Sequence, residues 1–231
     1  MQRRNFTAGL AGVAGLWGFS LAPVARAAGL TESDASLGVR AALERGAAAA
    51  VNLLGRSGGF LDNPKVRIPL PGFLNDAARL LQFAGQQQRV DELVTAMNRA
   101  AEAAVPQAKT LLVGAVQAMS VEDARQIISG PGDSVTRFFA AKTRAPLGVR
   151  FLPIVTRATE RVALAAKYNA VAKKAAGLGL LSKDDANIER YVTGKALDGL
   201  YLMIGEEERK IRRDPVGTGS AILAKVFGSL R

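Results

Sequence analysis

Beyond residue 31, apolar side chains recur at helical spacing along almost the entire chain, and one long stretch, residues 55–72, breaks the pattern. That periodicity constrains the fold more than any other feature. A segment with apolar residues at i, i+3, i+4 and i+7 has one stripe to bury. A chain made of such segments packs helix on helix. The fold class expected is all-α: a multi-helix bundle, one domain over residues 28–231, with one long Gly/Pro-rich extended loop.

The elements read as follows. Thr31, with Asp34 three residues on, caps an alanine-rich helix from Glu32 to Leu54. Helices follow at Phe73–Ala84 and at Arg89–Ala104, the second with Val90, Leu93, Val94, Met97, Ala100 and Ala101 on one stripe. Pro106 opens a helix to Met119. Ser120 and Asp123 cap a short one ending near Ser129, and Gly130-Pro131-Gly132 breaks the chain. Asp133–Thr143 is helical. Pro146 opens a further stretch carrying Phe151, Ile154, Val155, Ala158 and Val162, kinked or started at Pro153, and Ala163–Ala175 continues it. Gly177–Leu180 is a loop, and Ser182 with Asp185 caps the next element. Ala186–Arg213 is the strongest helix, with Ile188, Tyr191, Val192, Leu197, Leu200, Tyr201 and Ile204 in register. Glu206–Lys210 and Glu208–Arg212 are spaced as i,i+4 pairs on it. Asp214-Pro215 stops it, and Ser220–Leu230 forms a terminal helix.

The exceptional stretch begins with turn chemistry, from Gly55 through Gly58-Gly59 to Asn63-Pro64. Val66 to Pro71 then alternates apolar and other residues and carries two prolines, so it reads as extended and able to pair only at a sheet edge. Long ordered loops often carry function. This one lacks the Gly-Lys-Ser/Thr ending of a phosphate-binding P-loop.

Cysteine and histidine are both absent. This excludes Cys and His nucleophiles, Ser-His-Asp triads, zinc sites with Cys or His ligands and His proton shuttles. There is no Ser-x-x-Lys pair either. Glu206-Glu207-Glu208 and Asp184-Asp185 lack the spacing of a calcium loop and read as solvated faces. The expectation is no cofactor, no metal and no catalytic residue.

The first 27 residues read as a removable export signal. Arg3 and Arg4 precede an apolar run from Ala8 to Val24, and Ala25-Arg26-Ala27 has the small-x-small pattern of a cleavage site. The run falls short of the about 20 residues of a membrane span. Arg3-Arg4-Asn5-Phe6 resembles a twin-arginine motif, with the twin-arginine and general secretory routes both open. The predicted location is periplasmic, with no stable transmembrane anchor after cleavage. Removing Arg3, Arg4 and Arg26 takes the net charge from +11 to +8. That surplus suits an acidic partner such as anionic lipid, an envelope polymer or another envelope protein. The basic residues are dispersed, with no run of five, which favours the other reading, a basic solvated surface giving solubility. Nucleic acid is a poor partner, since an exported protein rarely meets it and no aromatic-basic interleaving occurs.

Several segments together resemble a bacterial family of exported, mostly helical proteins known as a domain of unknown function. They are Gly59 to Pro64, Arg67 to Pro71, Met97 to Glu102, Phe151 to Val155 and Lys195 to Tyr201. The last contains an Asp-Gly-Leu-aromatic signature, with Tyr201 where the family usually has Phe. The resemblance implies a helical fold and an envelope location, and brings no activity.

The residues to weigh as a binding or structural patch are Phe60, Asn63, Arg67, Asp198, Gly199 and Tyr201. Asp198 and Gly199 sit mid-helix on an apolar face, where Gly is unfavourable by ~0.5–1 kcal/mol relative to Ala. Either Asp198 is a binding carboxylate, or Gly199 marks close packing of the loop with Asp198 bonded to loop amides or Arg67. Asn63 and Arg67 either join the loop amides around an anion or form an Asn-Pro turn and an ion pair. The functional expectation is a non-enzymatic periplasmic binding or structural protein. The alternative is a carboxylate-dependent hydrolase acting on an envelope polymer.

Overall fold

The computed structural model describes residues 32–72, 85, 87–177 and 187–214. The export segment, the helices expected at 73–84 and 220–230, and the loop and cap at 178–186 lie outside the described residues. Within them the chain is helical: α1 Glu32–Leu54, α2 Gln87–Ala104, α3 Ala108–Gln117, α4 Val121–Ser129, α5 Ser134–Thr159, α6 Ala163–Gly177 and α7 Ile188–Arg213. A 3-10 turn at Val105–Gln107, with Pro106 in its first positions, joins α2 to α3. No strand occurs among the described residues.

The two 26-residue helices, α5 and α7, pack along each other at the centre. Helix α2 packs on both, and α1 lies against α7, α3 and α4. Each contributes the stripe that its periodicity promised: Leu43, Ala47, Ala50, Val51 and Leu54 from α1, and Leu93, Met97, Ala100 and Ala104 from α2. Phe139, Leu147, Phe151 and Val155 come from α5, and Val192, Ala196, Leu200 and Ile204 from α7. They join one continuous core. Each large side chain in it contributes about 1.5–3 kcal/mol by leaving water.

The capping logic holds at α4. Ser120 Oγ accepts from the Asp123 amide at 3.0 Å, and Asp123 accepts from the Ser120 amide at 2.9 Å, a complete capping box. Asn187 caps α7 by accepting from the Arg190 amide at 2.8 Å.

Three local readings are corrected. The helices expected to divide at Pro146 are one helix, α5, with Pro146 and Pro153 both inside it. The prolines are exposed and seven residues apart, so both fall on the same outer side, while the buried stripe from Val135 to Val155 runs on unbroken beneath. The chain breaks instead at 160–162, before α6. The expected Glu206–Lys210 pair is also replaced. Glu206 accepts from Lys65 Nζ at 2.7 Å across 141 positions of sequence, and Lys210 pairs with Glu207. Glu208, read as part of a solvated face, is buried at the α1–α7 contact.

Candidate functional site

Residues 55–71 form a strap across α2 and α7. Its start is set by two glycines. Gly58 has φ +80°, the left-handed region, and any Cβ at Gly59 would collide with the carbonyl oxygens of Leu53 and Leu54. The strap then turns inward. Phe60, Val66 and Ile68 are buried, and Asn63, Pro64 and Lys65 turn at the surface.

Two side chains of α2 hold the strap. Glu102 Oε1 accepts from the amides of Phe60 and Leu61 at 3.0 and 3.1 Å. Its other oxygen accepts from Arg99 at 2.7 Å, and Arg99 also donates to Ser57 Oγ. Burial raises the Glu102 pKa, but the Leu61 amide, Arg99 and the Phe60 amide outweigh it. The carboxyl therefore sits below its ordinary 4.5 and is held as an anion. One turn earlier, the fully buried Asn98 accepts from Ile68 N at 2.8 Å and donates to Ile68 O at 3.0 Å. Asn98 thus does for Ile68 what a neighbouring strand would do. This is why a segment read as a possible edge strand stays stable without a sheet.

The strap's far side rests on α7. A Cβ at Gly199 would lie 2.8 Å from Phe60 Cε1 and 3.2 Å from Val66 Cβ. Gly199 is therefore a close-approach surface for the strap. Asp198 does not share the role. Adjacent helical residues diverge by about 100°, so Gly199 facing the strap turns Asp198 away from it. Asp198 is exposed and accepts from Arg144 of α5 at 2.7 Å. Tyr201 is buried, its hydroxyl 2.9 Å from Thr143 Oγ1, and burial raises its phenol pKa above 10.0. Asn63 Oδ1 accepts from the Lys65 amide, and its carbonyl accepts from Val66 and Arg67, an ordinary Asn-Pro turn. Arg67 is exposed and has no ion pair among the described residues. The amides of 59–63 and 65–68 all have internal acceptors, which leaves none of them for an outside anion.

The structure therefore divides the expected patch. Phe60 and Gly199 meet at one place in the core, Asn63 and Arg67 lie on the strap's outer surface, and Tyr201 is internal. Asp198 belongs to a second feature, an open groove of about 700 Å³ between α5 and α7. Arg144, Arg190 and Lys195 are its basic residues, and Asp198 is the single carboxylate among its described residues. Val149, Leu152 and Tyr191 line it as apolar surface. Lys195 Nζ stands 5.8 Å from the centre of the Tyr191 ring, a cation–π distance. The Tyr191 hydroxyl donates to Pro69 O at 3.1 Å, so the groove wall and the strap are joined.

A protein family described as "protein of unknown function (DUF4197)" matches residues 29–228. The chain belongs to this family. No curated protein and no solved structure matches it. The family description assigns no chemistry, so the site rests on geometry.

Sequence reasoning missed Asn98, Glu102 and most of the groove. The first two had a signal: two polar residues one turn apart inside an otherwise apolar helix stripe. The groove had a fainter one. Gly148 and Gly194 are unfavourable helix residues, and a Cβ at either would meet open space, so no packing contact among the described residues calls for them.

Proposed function

We propose that the protein is exported to the bacterial envelope and acts there as a non-catalytic binding protein, holding a negatively charged ligand in the α5–α7 groove. The observation that carries this reading is the groove's make-up: among its described residues, the cations Arg144 and Lys195, one carboxylate, Asp198, already paired with Arg144, and apolar side chains in the lining. The export half is supported by the Arg3-Arg4 start, the apolar run and the Ala25-Arg26-Ala27 site. It is also supported by a family match that begins at residue 29, just past that site.

Carboxylate-dependent hydrolysis is less well supported. It calls for two carboxylates facing each other across a cleft. The groove carries one among its described residues, and the buried Glu102 is engaged by two amides and Arg99. The test is native mass spectrometry of the protein purified from its own periplasm, beside a Gly194→Leu variant that fills the groove. Retention of an anionic ligand by the first and not the second is the expected result. Equal retention by both, or turnover of an envelope polymer that Asp198→Asn abolishes, would overturn the reading.

A further inference from the structure

We propose that the groove between α5 and α7 is a membrane-docking site that takes the phosphate headgroup of an acidic phospholipid. The inference rests on the binding role above and names the ligand class. Four independent features of the groove converge on it. Among the described lining residues Arg144 and Lys195 outnumber the one carboxylate, Asp198, in a protein whose net charge is +8 once the export segment is removed. Val149, beside them, is 76 % exposed, an apolar side chain held in water. Thr193 lines the groove, is only 7 % exposed, and its Oγ1 has no hydrogen-bond partner among the described residues. Gly148 and Gly194 open space there that no atom of the described residues fills.

A soluble acidic polymer would use the cations and gain nothing from Val149 or Leu152. A free phosphate would do the same. An amphiphile uses both: its phosphate meets Arg144 and Lys195, and the start of its acyl region lies on Val149, Leu152 and the Tyr191 ring. Cations flanking exposed apolar and aromatic groups are the pattern of interfacial binding. About 700 Å³ falls within the range of ligand-sized sites. It admits a headgroup and the first part of the chains, with the remaining chain left in the bilayer.

The experiment is cosedimentation of the purified protein with phosphatidylcholine vesicles, with and without phosphatidylglycerol, and with polyglutamate as a lipid-free acidic polymer. The wild type is expected to bind only the vesicles containing phosphatidylglycerol. Lys195→Gln should weaken that binding about fivefold, the effect of one cation near an acidic surface. Val149→Asp should weaken it more, although an exposed position leaves the fold intact. Gly194→Leu should weaken it with the melting temperature unchanged or raised, a combination that a purely structural role for the groove would not produce. Equal vesicle binding by Val149→Asp and wild type would overturn the lipid assignment. Binding of polyglutamate but not vesicles, blocked by Gly194→Leu, would overturn it too, while the groove kept its binding role. If Gly194→Leu and wild type behave alike with every probe, the lipid assignment and the binding role both fall.

Discussion

Replacing Asn98 by alanine should loosen the strap while leaving every helix its apolar stripe. The Asn98 amide makes three hydrogen bonds, to Ile68 N, Ile68 O and Val94 O, at 2.8, 3.0 and 2.8 Å. Val94 O sits four residues back in α2, where the helix ladder also serves it, so its loss matters little. Ile68 is 1 % exposed, and both its backbone groups would lose these partners. A buried polar group left unpaired costs about 1–3 kcal/mol. Two such groups cost ~2–6 kcal/mol, and water entering beside the exposed Arg67 and Pro69 moves the result toward ~2–4 kcal/mol. For a chain of this size the melting temperature should fall by roughly 4–16 °C. Urea unfolding followed by circular dichroism measures the cost, and native-state hydrogen exchange locates it at the Ile68 amide. Arg67→Ala, an exposed neighbour, should stay within about 0.5 kcal/mol of wild type. A cost for Asn98→Ala under ~1 kcal/mol, or an Ile68 amide as protected as before, would refute the assignment of Asn98 as the strap's anchor.

Four further outcomes are expected. Glu102, Asp123 and Glu206 all have folded pKa values below their ordinary 4.5, 3.8 and 4.5. The stability they contribute is full above those ordinary values and is lost as pH falls through the lower folded ones; Glu102→Gln should flatten that acid limb in an acid titration of unfolding. Gly199→Leu should destabilise by ~1–3 kcal/mol, because its side chain has Phe60 and Val66 in its way, whereas Gly194→Ala should stabilise by about 0.5–1 kcal/mol; thermal melts of the two variants check both signs. Asp198→Asn should cost under about 1 kcal/mol in urea unfolding, since its ion pair with Arg144 is exposed. Amino-terminal sequencing of the exported protein should begin at Ala28, and a start elsewhere would refute the cleavage site.

What was legible in the sequence was the part that local chemistry decides. Helix periodicity, the Ser120–Asp123 capping box and the glycine turn at 58–59 depend on residues within a few positions of one another. They appear in the structure where the sequence places them, and α1 spans Glu32–Leu54 as read. Gly199 was legible as a close-approach point because an interior helix glycine is unfavourable unless something presses against it.

What only the tertiary structure decided was partnership. Asn98 and Glu102 lie 30 and 41–42 positions from the strap amides they hold, and Lys65 lies 141 from Glu206. Whether Pro146 ends a helix depended on which side of α5 faces the core, and it falls on the outer side. Asp198 turned to Arg144 because packing Gly199 on Phe60 fixed the rotation of α7. The groove exists because two helices lie side by side with Gly148 on one and Gly194 on the other. A polar side chain's partner is set by the rotation and crossing of helices distant in sequence. Those quantities follow from how all the apolar stripes fit together, and no single stretch of sequence contains them.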